Sequence, residues 1–161
     1  MKQQRRALLT ALPLMGTAML ASAAPVSQTT PRKAERFPGD PPEHKLVYQL
    51  NHADAEYIGH ILNSVGAMIS KYEDNISITV VTFGPGIHLL AKRPKRPIPE
   101  TLRTRARAQA TNYGVKFIVC GNTMKTVGWV AQDILPFASI EEIGAAALME
   151  LQEQGYSYIA W

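Results

Sequence analysis

The chain has 161 residues, 46% of them hydrophobic and 19% charged, with 11 Gly and 11 Pro. That is enough for one domain with a real core; it excludes a disordered chain, a collagen-like repeat and a coiled coil. The single cysteine, Cys120, excludes a disulfide scaffold and any multi-cysteine metal site within one chain. The net charge of +4 owes much to Lys2, Arg5 and Arg6, which stand in an acid-free stretch of 23 residues. Without those three, 14 basic residues face 13 acidic ones, so global charge gives no reason to expect nucleic-acid binding.

Residues 1–23 read as an export signal. Lys2, Arg5 and Arg6 make a positive start, Ala7 to Leu20 an apolar stretch, and Ala21-Ser22-Ala23 an A-x-A cleavage site. The stretch contains Pro13, Gly16 and Thr17 and is too short to span a bilayer. The Arg5-Arg6 pair suggests the twin-arginine route, with Sec as the alternative. The expectation is a periplasmic protein with no stable membrane insertion after cleavage. Residues 24–43 carry Pro25, Pro31, Pro38, Pro41 and Pro42 among polar residues, which predicts a flexible arm ahead of a domain over 44–161.

Within the domain, strands and helices alternate. Lys45 to Leu50 reads as a strand. A helix follows Asp54, with Ile58, Ile61, Leu62, Val65, Met68, Ile69 and Tyr72 at steps of three and four. Asn75 to Thr82 is a β-branched run suited to a strand buried on both faces of a parallel sheet. Gly84-Pro85-Gly86 ends it, and Ile87 to Lys92 is a short helical piece. A proline-rich loop over Arg93 to Pro99 leads into a helix that Gly114 terminates near Tyr113. Val115 to Cys120 is the third strand, and Asn122 or Thr123 caps a short helix reaching Trp129 or Val130. Ser139 and Glu142 have capping-box spacing, which predicts a helix from there to Gln154, stopped by Gly155. Tyr156 to Trp161 makes a last strand. The sum is one α/β domain with a mainly parallel sheet flanked by helices.

In such sheets ligands bind beyond the carboxyl ends of the strands. Cys120 closes a strand there and faces the start of a helix, whose unpaired N–H groups lower a thiol's pKa. The competing reading is a small hydrophobe ending a buried strand. An unpaired thiol in an exported chain is itself unusual. Gly84 and Gly86 sit at a second strand end, with His88 just beyond. They form neither a P-loop nor a G-x-G-x-x-G fingerprint, and a tight turn is the plainer account. Asn51, His52 and Asp54 follow the first strand, where turn and capping chemistry suffices. His44, His52, His60 and His88 lack the spacing of a helical or strand metal site, so no metal is expected. A hydrolase dyad of Cys120 with His52 or His88 is a third possibility. Seven basic residues between Lys92 and Arg107 face only Glu100, either as a solvated surface or as a lip attracting anions or an acidic partner.

Three stretches carry a resemblance: Val80-Val81-Thr82-Phe83-Gly84-Pro85-Gly86-Ile87-His88-Leu89-Leu90, Gly114-Val115-Lys116-Phe117-Ile118-Val119-Cys120-Gly121-Asn122-Thr123-Met124, and Leu151-Gln152-Glu153-Gln154-Gly155-Tyr156-Ser157-Tyr158-Ile159. Together they resemble the exported branch of the DsrE/DsrF-like sulfur-relay family over nearly all of residues 44–161. The resemblance implies a small flavodoxin-like domain in homo-oligomers, trimers or hexamers, needing no cofactor. It implies a persulfide carried on Cys120, matched through its C-x-N-T context, and sulfur donors and acceptors that are proteins or small thiols. On that reading, the N–H groups of Asn122 and Thr123 stabilise the thiolate. Gly84 and Gly86 let a loop close over the site, and His88 or Asn51 supplies polar contacts. The alternative is an oligomeric binding or scaffold module with an inert Cys120.

Overall fold

The computed structural model describes residues 35–161; the expected export signal and most of the expected arm lie outside them. The elements in chain order are β1 (His44–Leu50), α1 (Ala55–Tyr72), β2 (Ile76–Thr82), a 3-10 segment (Gly84–Leu90), α2 (Glu100–Tyr113), β3 (Lys116–Cys120), α3 (Gly121–Val127), a 3-10 turn (Ala131–Asp133), β4 (Ala138–Glu141), α4 (Gly144–Glu153) and β5 (Ser157–Ile159). The five strands form one parallel sheet in the order β4-β3-β2-β1-β5.

Strand alternation sorts the core into two layers. Leu46, Tyr48, Leu50, Ile78, Val80, Phe117 and Val119 point to one face, under Ile58, Ile61, Leu62 and Val65 of α1 and Ile87, Leu89 and Leu90 of the first 3-10 segment. Val47, Val81 and Ile118 point to the other, under Ala147 and Leu148 of α4 and Tyr156. The chain steps from β1 outward to β4 and then returns beside β1 through α4, which alone among the described helices supplies the second cluster.

Local chemistry explains most boundaries. The Asp54 carboxylate accepts from the Tyr57 N–H at 2.9 Å and caps α1. Gly114 ends α2 in the left-handed region at φ 69°, as expected of a glycine there. Arg36 and Gly39, in the segment expected to be an arm, bond the Asp74 carboxylate at 2.8 and 3.1 Å.

Two expectations fail. Ser139 and Glu142 form no capping box: Ser139 lies in β4, opposite Ile118 of β3, and the helix starts only at Gly144. β4 gives the open edge of β3 a backbone partner, and that ladder outweighs the local capping pattern. Nor does Asn122 or Thr123 cap α3. The capping position is Cys120 itself, with no side-chain cap, and both residues lie inside the helix.

Candidate functional site

Parity along β3 decides where Cys120 looks. Val119 is part of the large core cluster; Ile118, two residues before Cys120, belongs to the layer beneath α4. Cys120 therefore faces the start of α4, and the Gly144 N–H donates to its Sγ at 3.2 Å. This approach is tight: a Cβ at position 144 would lie 3.0 Å from the Cys120 Cβ and 3.4 Å from both Sγ and the Phe83 ring, so a side chain there would press on the sulfur's surroundings. The sulfur thus lies at the beginnings of two helices, α3 on its own chain segment and α4 from across the sheet.

Around it the polar groups are donors. The Gly144 N–H hydrogen-bonds the sulfur, and the Thr123 hydroxyl and the N–H groups of Thr123 and Asn122 stand near enough to favour its ionised form. Burial pushes the Cys120 thiol pKa up, these donors pull it down, and the net direction is down. The Asn122 N–H itself donates to the Glu142 carbonyl at 3.0 Å. Cys120 is only 6% exposed, so a bulky reagent cannot reach the sulfur unless Phe83 or the first turn of α4 moves.

The glycine turn is joined to this site. Gly84 adopts φ +51°, and its N–H donates to Thr123 Oγ1 at 3.2 Å. Gly86 lies against the end of β1, where a Cβ would fall 2.1 Å from the Leu50 carbonyl oxygen. Below the turn, the buried Thr82 hydroxyl donates to the Ile118 carbonyl at 2.9 Å and ties the ends of β2 and β3 together.

The other candidates are engaged elsewhere. Asn51 accepts from the Tyr57 hydroxyl at 2.9 Å through its side-chain oxygen. His52 packs edge-on against Tyr57 and, with Asp54, Pro85, Arg96 and Pro97, lines a groove of about 370 Å³. His88 is buried on the opposite side of the sheet from Cys120, edge-on to Trp129, with its Nδ1 accepting the Lys95 N–H at 3.1 Å. Burial, then the nearby Arg96 and Lys95, lower its pKa. Neither histidine makes a hydrogen bond to Cys120 that would form a dyad. Of the basic stretch, Arg103 bonds Glu100 and the Ala91 carbonyl, Lys95 bonds the Val127 carbonyl, and Arg105 bonds Asn63. Lys92, Arg93 and Arg96 remain exposed on the loop.

Gly144 is the site residue that sequence reasoning missed, because the expected capping box placed it inside a helix. The sequence carried little signal for it, because the four mostly exposed residues of β4 form a strand only against the open edge of β3 and thereby delay the helix to Gly144. Among the described residues no cluster of His, Cys, Asp and Glu could hold a metal, and no helix is long and apolar enough to cross a membrane.

A family model described as the DsrE/DsrF-like family matches residues 38–161. Two solved structures share the fold. A protein of unknown function from Methanobacterium thermoautotrophicum aligns with a TM-score of 0.65 at 20% identity, over 74% of this chain and 100% of its own. The ychN protein from E. coli aligns with a TM-score of 0.61 at 13% identity, over 73% of this chain and 99% of its own. No curated protein matches the chain.

Proposed function

The chain belongs to the DsrE/DsrF-like family, and from that premise we propose that it is a sulfur-relay protein that carries sulfane sulfur as a persulfide on Cys120. The observation that carries this reading is the Gly144 N–H donating to the Cys120 sulfur at 3.2 Å, beside the start of α3, in surroundings that lower the thiol pKa against the effect of burial. Such a site favours the thiolate, which is the nucleophile.

In the loading step the Cys120 thiolate attacks the terminal sulfur of a donor hydropersulfide, R–S–SH. The donor's S–S bond breaks and R–S⁻ leaves, while Cys120 becomes the hydropersulfide with the proton retained on the outer sulfur. In delivery an acceptor thiolate attacks that outer sulfur and Cys120 departs as thiolate. Sulfane sulfur changes hands with no net oxidant. Donor and acceptor are proteins or small thiols. The leader-like sequence at Arg5-Arg6 and Ala21-Ser22-Ala23 supports placing the protein in the periplasm. We extend the proposal to a homo-oligomer, supported by exposed apolar residues on β4 and α4.

The deep burial of Cys120 favours a second reading, a binding or scaffold module with an inert thiol. Intact-protein mass spectrometry separates the two. Exposure to polysulfide should add about 32 Da per sulfur, removed by dithiothreitol and absent in Cys120→Ser, with the variant's circular dichroism unchanged. An adduct that persists in Cys120→Ser, or no adduct in the parent, overturns the relay reading.

A further inference from the structure

The approach to Cys120 is narrow, and its walls differ in what can move. Between the sulfur and the Phe83 ring there is only the bare Cα of Gly144: a Cβ at that position would touch both Sγ and the Phe83 Cδ1 at 3.4 Å. The α4 wall is held. Cys120 pairs with Glu141 across the sheet, and the Asn122 N–H donates to the Glu142 carbonyl at 3.0 Å, just ahead of Gly144. The Phe83 backbone is held as well, its N–H donating to the Leu50 carbonyl at 3.2 Å and its carbonyl accepting the Gly86 N–H at 3.1 Å. The Phe83 side chain, however, belongs to a half-buried residue packed against the cluster of Val81, Ile118 and Ala147. The ring is therefore the wall that can turn, by side-chain rotation alone.

We propose that Phe83 is a specificity-determining residue: with Gly144 it forms a slot that passes the unbranched end of a hydropersulfide or inorganic polysulfide and stops a sulfur that carries a substituent. The distinction matters because a hydropersulfide offers two sulfurs to a thiolate. Attack on the outer sulfur of R–S–SH gives the Cys120 hydropersulfide and releases R–S⁻, which is sulfur transfer. Attack on the inner sulfur gives a mixed disulfide between Cys120 and R and releases HS⁻, which blocks the thiol. The inner sulfur brings R with it, so the slot admits the first reaction and refuses the second. Ordinary disulfides are turned away for the same reason, since both their sulfurs are substituted. This inference deepens the relay reading by naming the class of donor, and it rests on Cys120 being the attacking thiolate.

Two reagents of different width test the slot in the full-length chain, with adducts followed by intact mass. Iodoacetamide presents a narrow methylene carbon, and oxidised glutathione presents two substituted sulfurs. Both react with the thiolate, so the ratio of their rates cancels the thiolate fraction. The folded parent should disfavour oxidised glutathione more strongly than the same chain unfolded in urea does; equal ratios overturn the proposal. Phe83→Ala should raise the glutathione rate about tenfold relative to the iodoacetamide rate, because access is what it changes. Polysulfide loading, which already fits the slot, should change by less than about threefold. Circular dichroism checks the fold, and if the alanine variant does not fold, Phe83→Leu should move the ratio in the same direction. A folded variant with the parent's ratio overturns the proposal. If polysulfide fails to load while the ratio responds, the relay reading falls and the slot stands; loading with an unresponsive ratio does the reverse.

Discussion

Gly86 has no room for a side chain. A Cβ there would stand 2.1 Å from the Leu50 carbonyl oxygen and 2.6 Å from its Cδ2, and the first is backbone that cannot swing aside. The same carbonyl accepts the Phe83 N–H at 3.2 Å, so displacing it would also loosen the entry to the turn. Gly86→Ala should therefore cost about 3 kcal/mol, at the upper end of overpacking penalties, and lower the melting temperature by roughly 10 °C or more. Thermal unfolding followed by circular dichroism checks this; a loss under about 2 °C would mean that the turn relaxes freely. Glycine's presence at this strand end was legible in the sequence. The reason for it was not, because it depends on the end of β1 lying against the turn, a contact 36 residues apart.

At the level of elements, the chain's alternation was readable wherever the apolar period was long. α1, with its Asp54 cap, and β2 with its β-branched run both form as their residues direct. β4 was not readable, since four mostly exposed residues carry little periodic signal and its formation depends on the vacant edge of β3. The loop after the first 3-10 segment shows a second kind of hidden dependence. His88 holds this loop from inside, taking the Lys95 N–H on Nδ1, while Lys95 Nζ reaches the Val127 carbonyl at 2.6 Å. A protonated imidazole has no lone pair for that N–H. Because burial and the neighbouring cations lower the folded pKa of His88, the unfolded chain binds more protons once pH falls below the ordinary histidine value. The contribution of His88 to stability is whole above about pH 6.5 and is lost as pH drops from there toward the lowered folded pKa. His88→Gln offers an acceptor that does not titrate in this range, so the fall in melting temperature on going from neutral to mildly acidic buffer should become shallower. An unchanged slope in the glutamine variant would place the acid sensitivity elsewhere.

For the whole molecule, the two faces of the sheet are covered unequally, and the inequality bears on assembly. The face carrying Tyr48, Val80 and Phe117 is covered by α1 and the first 3-10 segment, whereas the face of Val47, Val81 and Ile118 has the ten residues of α4. Beside that thin layer the sheet ends at β4, whose outer edge has no partner strand among the described residues. Ile140 on that edge, Ile143 just before α4 and Met149 on it are 38%, 47% and 53% exposed. An open edge carrying large apolar side chains is a surface that a monomer in water usually protects. A second copy of the chain can cover it, which is where the proposed homo-oligomer gains physical content. Sedimentation velocity on the full-length chain should give a species larger than the monomer, and Ile140→Lys with Ile143→Lys should shift it toward monomer without loss of secondary structure. Charges at these exposed positions have no core packing to disrupt, so the double variant separates assembly from folding. A parent that sediments as a monomer at all concentrations would leave this edge uncovered and remove the oligomer from the proposed function. An oligomer indifferent to both lysines would move the interface to another face. In either case the chemistry at Cys120 stands on its own, because each donor identified at its sulfur comes from the same chain.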